Sequence, residues 1–209
     1  MLVSTGDGVG GTNTVINCNT TGVLSAGGNV SGFTSLINSI NGTLSSVNLI
    51  VITAVLLPNT GTGRAWCFSQ LKPTGFSYGP SASLRSSSGT VGLSLQSSTS
   101  NSQAFQTVAD SSSLTGTFAV RTTVLQSGSI TIMNNQSVTK TATISPEYTM
   151  AATDFFVGNS GGGTLVNTPV SPFNPPTKMG GIIVCAGTLS AGELAQAISW
   201  VGATVGLAI

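Results

Sequence analysis

The sequence contains no histidine. That absence removes the usual general base, the commonest metal ligand and the side chain that changes charge near neutral pH. Carboxylates are nearly as scarce: the five are Asp7, Asp110, Glu147, Asp154 and Glu193, and no two lie within five residues of each other. Glycoside hydrolysis needs two carboxylates flanking one bond, so this pattern predicts a protein without catalysis. Calcium takes about six to eight oxygen ligands, several of them carboxylates. Asp110, Glu147 and Asp154 are the candidates to converge, and the expectation is isolated acids with neither metal nor cofactor.

Charge of either sign is short. Charged residues are 5% of the chain, against roughly 25% in ordinary globular proteins. The six cations, Arg64, Lys72, Arg85, Arg121, Lys140 and Lys178, are spread singly. Neutralising phosphates takes a cluster of cations, so nucleic-acid binding is excluded. Solubility must come from Ser, Thr, Asn, Gln and Gly, a surface that gives little colloidal repulsion and suits packing against copies of itself or a scaffold. Cysteines are few: Cys18, Cys67 and Cys185 include no CxxC pair. They read as buried small apolar residues, with one disulfide plus a spare thiol as the alternative. No basic and then apolar leader opens the chain, so a cleaved secretory signal is not expected. The apolar runs 47–57 and 194–209 are shorter than the roughly 20 residues of a spanning helix, and no membrane span is expected.

What is present is a β pattern. The chain has 209 residues, 40% of them hydrophobic, which fits one large β domain with a core. Residues 1–30 are rich in Gly, Asn and Thr and read as an extended arm; residues 31–209 form the domain, ending in an apolar tail. From Val47 to Leu57 the sequence is β-branched and nearly continuous, the mark of a strand buried on both faces, and Pro58-Asn59-Thr60-Gly61 closes it. Shorter strands are predicted over 64–70, with Trp66 and Phe68 on a core face, and over 91–96, 105–109, 118–125, 155–157 and 181–185. The segments 129–133 and 137–144 form a hairpin across Asn134-Asn135-Gln136. One helix is predicted. Ser190 and Glu193 make a capping box, Leu189 and Leu194 take the staple positions, and Leu194, Ala197 and Ile198 form an apolar stripe that ends near 200–202.

From about Ser31 to Trp200 the order of features resembles the concanavalin A-like, LamG-type superfamily found in bacterial and phage surface proteins. The resemblance is carried by the strand ending at Pro58, the hairpin Gly128-Ser-Ile-Thr-Ile-Met-Asn-Asn-Gln-Ser137, Phe156-Val-Gly-Asn-Ser-Gly-Gly-Gly163, and most specifically the closing Gly180-Gly-Ile-Ile-Val-Cys-Ala-Gly-Thr-Leu-Ser-Ala-Gly-Glu-Leu194. It implies an all-β, antiparallel concanavalin A-like jelly-roll sandwich with one short C-terminal helix. Two features of the superfamily are missing. Its acidic residue in the penultimate strand is replaced by Ile182, Ile183 and Val184, and the Trp-Tyr-His start of the strand near Phe118 is absent. The fold therefore carries over without an inherited ligand or calcium site.

Candidate contact residues are the loop aromatics. Phe76 and Tyr78 lie in Lys72-Pro-Thr-Gly-Phe-Ser-Tyr-Gly-Pro80 and Phe173 in Ser171-Pro-Phe-Asn-Pro-Pro176, segments too rich in Gly and Pro for a strand interior; packing of these loops on the core is the competing reading. The uncharged tail suggests an interface, with Val205, Leu207 and Ile209 burying against a neighbouring subunit. The expected role is a non-enzymatic structural or adhesive protein of a virion surface: a phage capsid decoration, coat or fibre component. Its partners would be copies of itself and other virion or surface proteins. The alternatives are a carbohydrate-binding lectin module that contacts glycans at an extracellular surface, or a self-assembling filament subunit in which residues 1–30 add a strand to the next copy.

Overall fold

The computed structural model describes residues 2–4, 16–17, 24–26, 39–40, 42–43, 46–57, 62–69, 82–87, 90–96, 105–110, 116–144, 149–150, 154–157, 159–161, 169–172 and 178–209. The strands are β1 (Leu2–Ser4), β2 (Ile16–Asn17), β3 (Leu24–Ala26), β4 (Gly42–Thr43), β5 (Leu49–Leu56), β6 (Thr62–Ser69), β7 (Ala82–Ser87), β8 (Thr90–Gln96), β9 (Phe105–Asp110), β10 (Phe118–Gln126), β11 (Ser129–Asn134), β12 (Ser137–Thr143), β13 (Thr149–Met150), β14 (Asp154–Val157), β15 (Asn159–Gly161), β16 (Pro169–Pro172) and β17 (Lys178–Ala186). The C-terminal α-helix, α1, spans Ala191–Ala203, and Ser39 and Ile40 are also helical. Two antiparallel sheets form the body. Sheet A runs β1-β17-β5-β10-β11-β12, with β2 also on β17, and sheet B runs β3-β14-β6-β7-β8-β9. This is the all-β antiparallel sandwich with one short C-terminal helix that the sequence predicts.

The inner faces of the two sheets make the larger core. Leu49, Val51 and Val55 of β5, with Ile182 and Val184 of β17, meet Trp66 and Phe68 of β6, Leu84 of β7, Leu93 of β8 and Val108 of β9. Trp66 and Phe68 pack edge to face, with ring centroids 5.9 Å apart and planes at 68°, the arrangement that aromatic quadrupoles favour. The outer face of sheet A is covered as well. Ile50, Ile52 and Ala54, Val120 and Ile183 pack under Ile198 and Val201 of α1. Side chains alternate between the faces of a strand, so β5, covered on both sides, must be apolar at nearly every position. The same geometry explains Ile182-Ile183-Val184: the two outer residues of the triplet enter the inter-sheet core and Ile183 enters the helix layer.

Sheet A also buries a cation. Arg121 of β10 is 1% exposed, on the same face as Leu125, and its register partners are Asn134 of β11 and Thr53 of β5. Its Nη1 donates to Asn134 Oδ1, the hydrogen bonding that a buried guanidinium requires. Hairpin turns set the register of this half of the sheet. Ser127 and Gly128, at φ 49° and 77°, join β10 to β11. Asn135, at φ 53°, joins β11 to β12, and its Oδ1 accepts from the Val120 N–H at 3.0 Å.

The described pieces of 1–30 are extended, and each lies on a sheet: β1 and β2 pair with β17, and β3 pairs with β14. β7 and β16 were not anticipated. In β7, Ala-Ser-Leu-Arg-Ser-Ser, the buried residues described are Ala82 and Leu84, too few for an alternation signal. β16 begins and ends with proline and pairs with β15 alone, in a separate two-stranded sheet, where a missing donor is tolerated.

The helix begins where its capping box predicts. The Ser190 N–H and O–H both donate to Glu193 Oε2, at 2.8 and 2.7 Å, and the Glu193 N–H donates to Ser190 Oγ at 3.3 Å. At its other end the helix runs one residue further than expected and closes in a Schellman turn. Leu207 N–H donates to Gly202 C=O and Gly206 N–H to Ala203 C=O, with Gly206 left-handed at φ 76°. That turn sends the tail back over sheet A. Val205, Leu207 and Ile209, expected to bury against a neighbouring subunit, are partly buried in the chain's own second core. Glycines make the room. A Cβ at Gly180 would lie 2.3 Å from Val205 Cγ1, and one at Gly202 would lie 2.7 Å from Ile209 Cδ1. The β17 bulge between Met179 and Ile182 leaves the Gly181 N–H free to donate to Thr204 Oγ1 at 2.7 Å, while the Thr204 hydroxyl donates to Val201 C=O at 2.6 Å. Ser199 Oγ donates to the Ile209 carbonyl oxygen at 2.6 Å.

These contacts set the expected effects of substitution. Thr204→Val leaves the Gly181 N–H without its acceptor and lowers urea-unfolding stability by about 1–2 kcal/mol; Gly180→Ala also destabilises, by displacing the tail. Removing 204–209 costs on the order of 3 kcal/mol, since three apolar side chains are half-buried, and raises binding of a hydrophobic dye. At the N-terminus of the helix, Ser190→Ala costs about 1 kcal/mol. The Ser190 O–H, followed by its N–H, bonds the ionised form of Glu193 and holds that carboxyl below its ordinary value. The resulting stabilisation is complete above the ordinary glutamate range and is lost as pH falls through the lowered value. A stability–pH profile of Glu193→Ala should lack that acid-side decline.

Candidate binding surface

Among the described residues the surface carries few charges. Of the charged side chains described, Arg121 is buried, so no phosphate reaches it, while Lys140, Lys178 and Glu193 are exposed and lie on separate elements. Glu193 is engaged by Ser190. Among the described residues no three His, Cys, Asp or Glu side chains come together as a metal site. Asp7 and Glu147 lie outside the described residues, as do the side chains of Asp110 and Asp154. Cys185 is a free, partly buried thiol against the helix-side core.

The predicted contact aromatics Phe76, Tyr78 and Phe173 lie outside the described residues. The predicted interface residues Val205, Leu207 and Ile209 come together with one another, but beneath the helix of their own chain. Trp66 and Phe68 are fully buried, as a core assignment requires.

One aromatic was missed. Trp200 is 43% exposed. Its ring rests beside Gly181, where a Cβ would lie 3.5 Å from Cζ3. Four and seven residues along the helix share a face, so Trp200 lies on the exposed side with Gln196 and Ala203. The signal was available in the sequence. The capping box fixes the helical phase, and with Leu194, Ala197, Ile198 and Val201 inward, Trp200 falls off the stripe. The result is an aromatic plate on a rigid helix, backed by β17 and bordered by amide and hydroxyl groups. Gln136 Nε2 donates to Ser199 Oγ at 3.4 Å and ties the helix to the β11–β12 turn.

On sheet B the register rows alternate. Trp66, Leu84, Leu93 and Val108 form one row, and all four are buried. Next to it run Cys67, Ser83, Ser94 and Thr107. The following row runs through Arg64, Arg85, Gly92 and Ala109. A chelator should leave the melting temperature unchanged; a fall of many degrees would reveal a divalent-ion site at Asp110, Glu147 and Asp154.

No protein-family model and no curated protein matches the chain. Solved structures do match it in fold. The botulinum neurotoxin serotype D binding domain superposes with a TM-score of 0.62 at 12% identity, covering 95% of this chain and 46% of that one. The receptor binding domain of botulinum neurotoxin D gives a TM-score of 0.63 at 12% identity, covering 95% and 47%. The serotype D ligand binding domain in complex with N-acetylneuraminic acid gives 0.61 at 10% identity, covering 95% and 46%. The chain thus spans a little under half the length of the structures it matches. At these identities the likeness concerns architecture alone, an antiparallel β-sandwich.

Proposed function

We propose that this protein is a non-enzymatic binding module that works at an extracellular or particle surface and recognises glycans. The observation that carries the reading is the overlap of 95% of the chain with binding domains, one of them solved with N-acetylneuraminic acid, in a molecule whose charged fraction is 5%. A sugar presents an apolar C–H face and a rim of hydroxyls. An exposed indole such as Trp200 matches the first, and Gln196 and nearby serine and threonine groups match the second. Phe76, Tyr78 and Phe173 are the other candidate contact aromatics.

Composition favours a particular setting for the module. A Ser/Thr/Gly-rich, nearly uncharged surface tolerates dense packing against copies and scaffold proteins. That points to a structural or adhesive component of a virion, such as a phage capsid decoration, coat or fibre protein of the LamG type. A glycan array tests recognition. The expected result is selective binding that falls at least tenfold in Trp200→Ala or in Phe76→Ala/Tyr78→Ala, with an unchanged melting curve. Uniform absence of binding, together with co-sedimentation on purified particles that added sugars do not affect, would leave the structural role and remove the lectin one.

A further inference from the structure

The two edges of sheet A are protected in different ways. β12, Ser-Val-Thr-Lys-Thr-Ala-Thr, is an exposed edge that carries Lys140 and alternating polar residues, the ordinary defence of a free edge. The opposite side has no such defence. From Met179 to Ala186 strand β17 carries no charge, and Met179–Val184 are buried. Beyond β17 the sheet is completed by two short pieces of the N-terminal segment. Leu2, Val3 and Ser4 pair with Val184, Ile183 and Ile182, and Ile16 and Asn17 pair with Met179 and Lys178. Gly180 and Gly181, at the bulge, separate the two clamps.

β17 does not depend on these clamps for its shape. It is held from its other side by β5, from above by α1, and at the bulge by the Thr204 hydroxyl. It is a preformed template for strand addition, and the chain itself supplies the segment that fits it.

We propose that strands β1 and β2 are exchangeable, and that in an assembly the β17 edge of one copy is completed by β1 and β2 of a second copy. Pairing in trans makes the same backbone hydrogen bonds as pairing in cis, so the choice rests on chain connectivity and concentration rather than on new contacts. Two factors favour exchange: each clamp is two or three residues long, and a net charge of +1 gives copies little mutual repulsion. Reciprocal exchange closes a dimer; one-way exchange propagates a filament.

The test uses the register of Asn17 and Lys178. Cα partners in an antiparallel pair lie about 4.5–5.5 Å apart, within reach of a disulfide, and Lys178 is exposed, so changing it spares the core. In a Cys18→Ser background, Asn17→Cys and Lys178→Cys are placed on separate, differently tagged full-length chains, co-expressed and oxidised. A covalent heterodimer is expected, as are wild-type assemblies in sedimentation that fall to single chains in Val3→Pro/Ile16→Pro, a variant that cannot donate those ladder bonds and keeps its β-type circular dichroism. The proposal is overturned if only the chain carrying both cysteines closes, within itself, if neither arrangement links, or if assemblies persist in the proline variant.

Discussion

Strand β5 is buried on both faces, and most of the molecule is arranged to keep it so. On one side lies the other sheet, on the other the C-terminal helix, and its in-plane neighbours are β17 and β10. A strand in that position needs an unbroken apolar run, which Leu49–Leu56 supplies with Thr53 as the polar exception. Covering its outer face then dictates the end of the chain. The helix must cross sheet A, and the tail must return over it. Gly180, Gly181 and Gly202 are the hollows that let Thr204, Val205 and Ile209 approach.

Poverty of charge shapes the rest. Of the six cations, Arg121 sits inside the sheet, tied to Asn134. The described surface offers hydroxyls, amides and one well-presented indole. The glycan recognition proposed above would run through hydrogen bonding and stacking, with weak salt dependence.

The architecture was legible because its signals are local. Two-faced burial in 47–57, alternation in 91–96 and 118–125, the Asn135 turn and the Ser190–Glu193 capping box each state a conformation through a few neighbouring residues. β7 was not legible, because Ala82 and Leu84 alone carry its core face. β16 was hidden by its prolines, which argue against a strand anywhere except in a minor sheet. The aromatics chosen for contact stood out by their Gly- and Pro-rich loops. Trp200 was passed over because a tryptophan near a helix end reads as core until the phase of the helix is drawn.

By itself the sequence determined the class of the fold, the start of the helix and the narrow range of surface chemistry, because periodicity, capping and composition need no long-range information. Only the tertiary structure decided where the uncharged tail goes. Burial against the chain's own sheet and burial against a neighbour look alike in sequence; the difference lies in Gly180, Gly181 and the free N–H of the β17 bulge, more than twenty residues upstream of Thr204. It also decided which edge of sheet A is guarded and which is completed by the N-terminal segment. Edge status depends on which strands lie side by side, and strand order comes from the packing of the whole chain.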